Sequence, residues 1–231
     1  MDPSSVAAPT RVFVLDDHDV IQRGIADLIT TRSDLVLAGT AMTAAEAVTL
    51  VPDVAPDLLV FDVNLPDGNG VQVCRRLRSE MPQLRCLLMT AGTQEDARFA
   101  ALLAGAAGYV TKHAPSDQIL EALIRAARGD VGMDRSAAAQ LLAHHPGEDA
   151  DSPVAPRHLI GATELAELTS RQRQVLELVL RGRTDREIAD QLAIAEPAVA
   201  SEISVLFVTL DLRRRLRDAF DEASRIPTEG E

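Results

Sequence analysis

The sequence predicts two units: a five-stranded, doubly wound parallel α/β sheet over residues 11–129, then a small all-helical unit over 168–225. Three observations carry this. Short apolar runs alternate five times with segments of helical period between 11 and 128, the pattern of parallel strands joined by crossover helices. The runs LLVF and CLLM are apolar throughout, as central strands covered on both faces must be. From residue 168 onward only the helical period remains.

The elements follow in order. The run 11–16, RVFVLD, ends in acid and leads into a helix patterned by Val20, Ile21, Ile25, Leu28 and Ile29. Strands 35–39, 57–62, 85–90 and 108–111 are each followed by a helix, at 43–51, 70–79, 94–104 and 116–128. Residues 1–10 read as a disordered N-terminus, and residues 130–167 as an acidic linker with one short helix at 133–145. Within that linker 146–157 carries three prolines and no apolar period. His144 and His145 are linker residues on this reading, because no third ligand accompanies them. In the second unit helices are expected at 170–181, closed by Gly182, at 185–192, capped by Thr184, at 196–210 and at 213–223, before a tail at 226–231.

Composition narrows the function. The chain has 231 residues, 46% of them apolar, and no apolar run approaches the ~18 residues of a membrane span. Its first residues lack the basic and apolar regions of a signal peptide. Cys74 and Cys86 lie in apolar stretches without metal-ligand spacing, which suits reduced core thiols in a cytoplasmic chain. The net charge of -12 opposes non-specific binding to nucleic acid or anionic membrane. Acids exceed bases by five in 1–129 and by five in 130–167, whereas the two balance in 168–225. Of the 23 basic residues 22 are arginine, and Lys112 is the one lysine; a lysine kept in so Arg-biased a chain marks a place where a compact ammonium is needed.

In doubly wound sheets ligands bind beyond the carboxyl ends of the strands. Those ends carry Asp16 and Asp17, Asp62, Thr90 and Lys112. Acids gathered at one edge repel each other unless a cation joins them. Mg²⁺ suits such a set, since it takes a few protein oxygens and keeps room for water and phosphoryl oxygens. Asp62 is the candidate nucleophile: it ends the central strand, and the VNLPDGNG loop behind it leaves space for a phosphodonor. Thr90 and Lys112 are placed to hold the phosphoryl oxygens. A phosphatase working through an aspartyl-phosphate would want an Asp-x-Asp pair after its nucleophile strand, whereas here the adjacent pair follows the first strand; the chain is not expected to be an enzyme.

Residues 11–129 resemble the flavodoxin-like receiver domain of two-component response regulators, on Asp16-Asp17, on Asp62 with Pro66 and Gly68 after it, on Thr90-Ala91 and on Tyr109-Val110-Thr111-Lys112. The resemblance implies that a sensor histidine kinase phosphorylates Asp62. It implies that Asp17, Asp62 and the carbonyl of Asn64 hold Mg²⁺, with Asp16 acting through water. It makes Thr90 and Tyr109 a switch pair that reshapes the face of the fourth helix, fifth strand and fifth helix.

Residues 168–223 resemble the LuxR-type helix-turn-helix of the NarL/FixJ subfamily: LTSRQRQVLELVLRG, TDREIADQLAI and AEPAVASEISVLFVTL stand in for its scaffold, turn and recognition helices. The resemblance implies a transcriptional regulator acting as a homodimer or heterodimer, with DNA contacts from Thr184, Arg186, Ser201, Ser204, Arg213, Arg214 and Arg215. The recognition helix departs from the pattern. Ala195 takes the capping position, and Ala200 and Glu202 the Lys and His positions. Residues 195–212 hold Glu196, Glu202 and Asp211 and no Lys or Arg. Phosphate neutralisation supplies most of the affinity of such modules, so DNA binding is expected to be weak. Val205, Phe207, Val208 and Leu212 widen the apolar stripe beyond what one small domain covers, which points either to a protein partner or to packing on the first unit. The alternative function is a phosphorylation-controlled protein-interaction regulator that no longer binds DNA.

Overall fold

The structure, a computed structural model, describes residues 8–130 and 168–225, with side chains up to residue 210 in the second stretch. The predicted helix at 133–145, the rest of the linker with His144 and His145, and the tail at 226–231 lie outside the described residues.

The first unit runs β1 (Thr10–Leu15), α1 (Asp19–Thr30), β2 (Leu35–Ala41), α2 (Ala44–Val54), β3 (Leu58–Phe61), β4 (Asn64–Leu65), β5 (Gly68–Asn69), α3 (Gly70–Glu80), β6 (Arg85–Thr90), α4 (Gln94–Ala104), β7 (Gly108–Thr111) and α5 (Ser116–Arg128). The five long strands form one parallel sheet in the order β2-β1-β3-β6-β7. Two-residue periodicity divides each central strand between two cores. Phe13, Leu15, Leu59, Phe61, Cys86 and Leu88 face the side packed by Val51, Leu77 and Leu103 of α2, α3 and α4. Val12, Val14, Leu58, Val60, Leu87 and Met89 face Ile25, Ile29, Leu123 and Ala126 of α1 and α5. Truncating one of these fully buried side chains, Leu59→Ala for example, would cost about 2–5 kcal/mol.

Most predicted elements are present with shifted ends. The helix expected at 43–51 continues to Val54 through Pro52; in the last turn one lost backbone bond is tolerable, and Ala55 closes the helix in a left-handed conformation, φ 47°. The antiparallel β4–β5 pair, within the loop after Asp62, is an addition to the expected elements.

The second unit comprises α6 (Ser170–Leu180), α7 (Asp185–Leu192) and α8 (Glu196–Arg225). Thr169 with Gln172 and Thr184 with Glu187 close reciprocal capping boxes at the starts of α6 and α7. The chain bends by 109° between α7 and α8, within the range of a helix-turn-helix. The separate helices expected at 196–210 and 213–223 are one 30-residue helix. The segment TLDLRR between them contains neither Gly nor Pro, so nothing local interrupts the hydrogen-bond ladder. Among the described residues no single helix is long and apolar enough to cross a membrane.

The core of the second unit, built on Val175, Leu176, Ile188, Val199, Ile203 and Leu206, is continuous with the α2/α3/α4 core of the first.

Candidate functional site

The strand order reverses at β1 and β3, and the crevice beyond their carboxyl ends is where such sheets place ligands. Backbone bonds continue the ladder past each strand end and so fix the side chains there. Asp62 N donates to Leu15 O at 2.9 Å, Asp16 N to Ala41 O at 3.1 Å, and Lys112 N to Thr90 O at 2.8 Å. Behind Asp62 the chain doubles back closely: Gly70 N donates to Val63 O. A Cβ on residue 70 would stand 1.8 Å from Asp62 O, so only glycine lets α3 begin against the backbone of Asp62.

Asp16, Asp17, His18 and Asp62 each bring a ligand atom within 4.8 Å of the others. Asp16 and Asp62 are buried, and Asp17 is about one-third exposed. Lys112 Nζ stands between the two buried carboxylates, 2.7 Å from Asp16 Oδ2 and 2.8 Å from Asp62 Oδ2. The other Asp62 oxygen, Oδ1, accepts from Val63 N at 2.7 Å. Burial pushes the Asp62 carboxyl up from the ordinary carboxylate value, and the nearby Asp16 charge adds to this; Lys112 opposes it without cancelling it. Lys112 is itself desolvated, yet its bonds to Asp16 and Asp62 outweigh burial and hold its ammonium above the usual lysine value. The lysine is therefore a fixed positive charge at the site.

The donor set suits Mg²⁺. Three carboxylates supply hard oxygens from two adjoining strand ends, and the exposed side of Asp17 leaves an approach for water or a phosphoryl group.

The remaining predicted residues take these places. Thr90 ends β6, buried, with its hydroxyl oxygen accepting from Gly92 N at 3.3 Å. Tyr109 is half-buried on β7 and borders a cleft with Gln94, Arg125 and Asp130. Asn64 opens β4, two residues beyond Asp62. His18 joins the site without having been expected there: its ring Nδ1 lies 2.6 Å from Asp17 Oδ1 and 3.1 Å from Asp16 Oδ1. Its only signal in the sequence is adjacency to the acidic pair.

In the second unit Thr184 caps α7, and Arg186 is exposed on it. Ser201 is exposed but its hydroxyl donates back to Pro197 O. The Ser204 hydroxyl donates to Ala200 O and accepts from Gln72 Nε2 of α3 at 2.6 Å, so in this arrangement it meets the first unit. Arg213, Arg214 and Arg215 lie on the distal half of α8. Glu202 stands 3.9 Å from Arg171.

The two units meet at a polar clamp and an aromatic contact. Arg75 of α3 is buried; it donates to Asp185 Oδ1 at 2.6 Å, to Leu103 O at 2.8 Å and to Arg183 O at 2.9 Å. Phe207 of α8 stacks on Phe99 of α4 with ring centroids 6.2 Å apart. Of the apolar residues that widen α8, Phe207 thus packs on the first unit, whereas Val205 and Val208 are 47% and 64% exposed.

A parallel sheet with an acid-and-lysine edge, joined to a helix-turn-helix, defines a class: a phosphorelay receiver coupled to a nucleic-acid-binding module. Comparison with known proteins makes that specific. Residues 12–124 match the response regulator receiver domain, and residues 166–216 the bacterial regulatory proteins of the luxR family. The chain is 39% identical to the DNA-binding transcriptional activator DevR/DosR of Mycobacterium tuberculosis, over 90% of this chain and 92% of that one. It is 26% identical to the nitrate/nitrite response regulator NarL of Escherichia coli, over 91% and 94%. The solved receiver domain of the putative response regulator NarL from Mycobacterium tuberculosis superposes with a TM-score of 0.50 at 29% identity, covering 53% of this chain and 99% of that one. The chain belongs to the two-component response regulators that join a receiver to a LuxR-type DNA-binding domain, and it is a transcriptional regulator.

Proposed function

We propose that Asp62 is the phosphoacceptor of this regulator and that the phosphoryl group comes from a sensor histidine kinase in the cytoplasm. The observation that carries this is the Lys112 ammonium held between Asp16 and Asp62 at the strand ends. An Asp62 carboxylate oxygen attacks phosphorus, the bond from phosphorus to the kinase histidine nitrogen breaks, and that nitrogen keeps the electron pair and takes up a proton. Asp16, Asp17, Asp62 and the Asn64 carbonyl would hold Mg²⁺, which when bound neutralises charge on the phosphoryl oxygens. Lys112 leaves the free carboxylate and pairs with a phosphoryl oxygen. Thr90 donates its hydroxyl to another, and its movement frees Tyr109 to turn inward. Labelling with a small phosphodonor tests the assignment: wild type should incorporate an acid-stable, hydroxylamine-labile phosphoryl group and Asp62→Asn none. Label retained in full by the variant would place the phosphoacceptor elsewhere.

We further propose that DNA affinity is weak in the chain alone. Residues 195–212 offer no cation to phosphate, and Ser204 and Phe207 of α8 pack on the receiver. Arg186, with Arg213, Arg214 and Arg215, is left to hold phosphates without reading bases. A salt-dependent binding assay on genomic fragments, with and without phosphodonor, separates this from the reading in which the helical domain serves a protein partner only. Tight, sequence-specific binding by the unmodified chain would overturn both.

A further inference from the structure

His18 stands at the N-cap of α1, yet its side chain caps nothing: it makes no hydrogen bond to the helix. It belongs to the acids instead. Its backbone N donates to Asp16 Oδ1 at 2.9 Å, and its carbonyl accepts from Ile21 N and Gln22 N. Gln22 Nε2 in turn donates to Asp16 O and Ala41 O, which ties this first turn to the ends of β1 and β2. On that fixed backbone the ring sets Nδ1 2.6 Å from Asp17 Oδ1 and 3.1 Å from Asp16 Oδ1. Asp17 Oδ1 is buried and accepts no hydrogen bond among the described residues, so the close ring nitrogen is out of line for an N–H donor to it. Neighbouring donors on an octahedral ion with bonds of about 2.0–2.1 Å stand about 2.9 Å apart. The two separations bracket that edge, and Asp62 brings an oxygen within 4.8 Å of all three donors.

We propose that His18 Nδ1 is itself a ligand of the ion in this pocket, beside the carboxylates, and that it tilts the site from Mg²⁺ toward divalent first-row transition ions. Mg²⁺ takes hard oxygens, whereas imidazole nitrogen suits ions further along the first transition row. The other donors are more committed. Lys112 holds Asp16 Oδ2 and Asp62 Oδ2, and Val63 N holds Asp62 Oδ1. Asp17 Oδ1 and the adjacent ring nitrogen form the pair left to grip an ion. With its proton on Nε2 the ring turns a lone pair from Nδ1 toward the acids, and a neutral imidazole adds a donor without adding to the negative charge crowded there. The side chain is 63% exposed, so an ion can exchange water for Nδ1 without displacing packed groups. This inference rests on the phosphoacceptor reading above, whose metal pocket it shares.

Calorimetric titration of the full chain with Mg²⁺ and with Co²⁺, counting only the Co²⁺ that Mg²⁺ displaces, tests it. His18→Ala should weaken Co²⁺ binding by at least about tenfold, the effect that even the supports of a metal ligand carry, and change Mg²⁺ binding by less than about twofold. Helical circular dichroism should not change, because no cap is lost. His18→Asn keeps a hydrogen-bonding group but offers an amide oxygen in place of the ring nitrogen, so it should lose the Co²⁺ affinity as well. Pulsed EPR of bound Mn²⁺ should show an imidazole nitrogen coupling in wild type that vanishes in both variants; the chain's other histidines are common to all three proteins. Equal losses of Co²⁺ and Mg²⁺ in His18→Ala that Asn restores would make His18 a positioning residue for Asp17 and overturn the proposal, as would wild-type Mn²⁺ without the coupling. Pocket binding of both ions unchanged in His18→Ala removes the nitrogen ligand and leaves the pocket standing. If Asp62→Asn also binds both ions as wild type does, the phosphoacceptor pocket itself is misplaced and both readings fall.

Discussion

The strand-end pocket and the recognition helix belong to one chain and treat charge in opposite ways. The pocket gathers Asp16, Asp17, Asp62 and Lys112, holds two of the acids and the lysine in burial, and sets the lysine within 2.8 Å of both buried acids. The first half of α8 carries no Lys or Arg between residues 195 and 212 and faces outward with Val205 and Val208. Burying charge costs several kcal/mol per ion unless geometry repays it. The pocket sustains that cost with a lysine set between two buried acids, whereas the exposed face of the helix carries no cation between residues 195 and 212.

Four perturbations break or sharpen this contrast. The largest effect belongs to the joint between the two regions. Arg75→Ala leaves Asp185 buried without its cation, a loss of about 3–5 kcal/mol for pairs of this kind. The partners sit on different domains, so the domains should separate rather than unfold; X-ray scattering should show an increased radius of gyration, and Arg75→Lys should lie between wild type and Ala. An unchanged profile would mean that the aromatic contact alone holds the halves together.

Next comes restoration of charge. Ala200→Lys with Glu202→His should tighten duplex binding and steepen the log-log salt dependence by about one for each DNA phosphate newly neutralised. A flat salt response would show that the receiver, and not the helix's composition, limits DNA access.

A smaller change is expected at the pocket's lysine. Lys112→Arg keeps the charge but replaces a compact ammonium with a planar fork where only 7% of the side chain is exposed. The variant should fold and take up phosphoryl label yet respond poorly to it, measured as reduced phosphorylation-dependent change in scattering or sedimentation.

The smallest effect is on stability. The Asp62 carboxyl is raised by burial, with Asp16 adding to it. Because the folded value lies above the unfolded one, the protonated form favours folding; the stability contributed is present at acidic pH and is lost as pH rises through the folded value. Asp62→Asn removes that loss, so it should melt higher than wild type at neutral pH, with the gap closing on acidification. A lower melting temperature at neutral pH would show that the Lys112 pairing outweighs desolvation.

Much of this molecule is legible in its residues, and what is not has physical reasons. LLVF and CLLM read as strands because both sheet faces are covered, and the five strand-end residues follow from the topology of any doubly wound sheet. The β4–β5 pair escapes because two-residue strands carry no period. The break expected between 210 and 213 does not occur, because TLDLRR holds no residue that stops a helix. The Arg75–Asp185 pair joins positions 110 apart, and no local pattern marks a partner at that distance. Packing on the first unit is one of the two readings open for Phe207, and the structure shows it; its partner Phe99 is what the sequence leaves unnamed.

The Arg75 guanidinium engages three acceptors that arrive from the end of α4, the turn before α7 and α7 itself. One planar group serves all three, so displacing it from one misaligns the others, and half-opened arrangements keep little of the bonding while exposing most of the buried charge. Separation of the halves should consequently be cooperative in the individual molecule: each is engaged or released, and a graded stimulus would register as a changing fraction of released molecules, with no gradual loosening of each one.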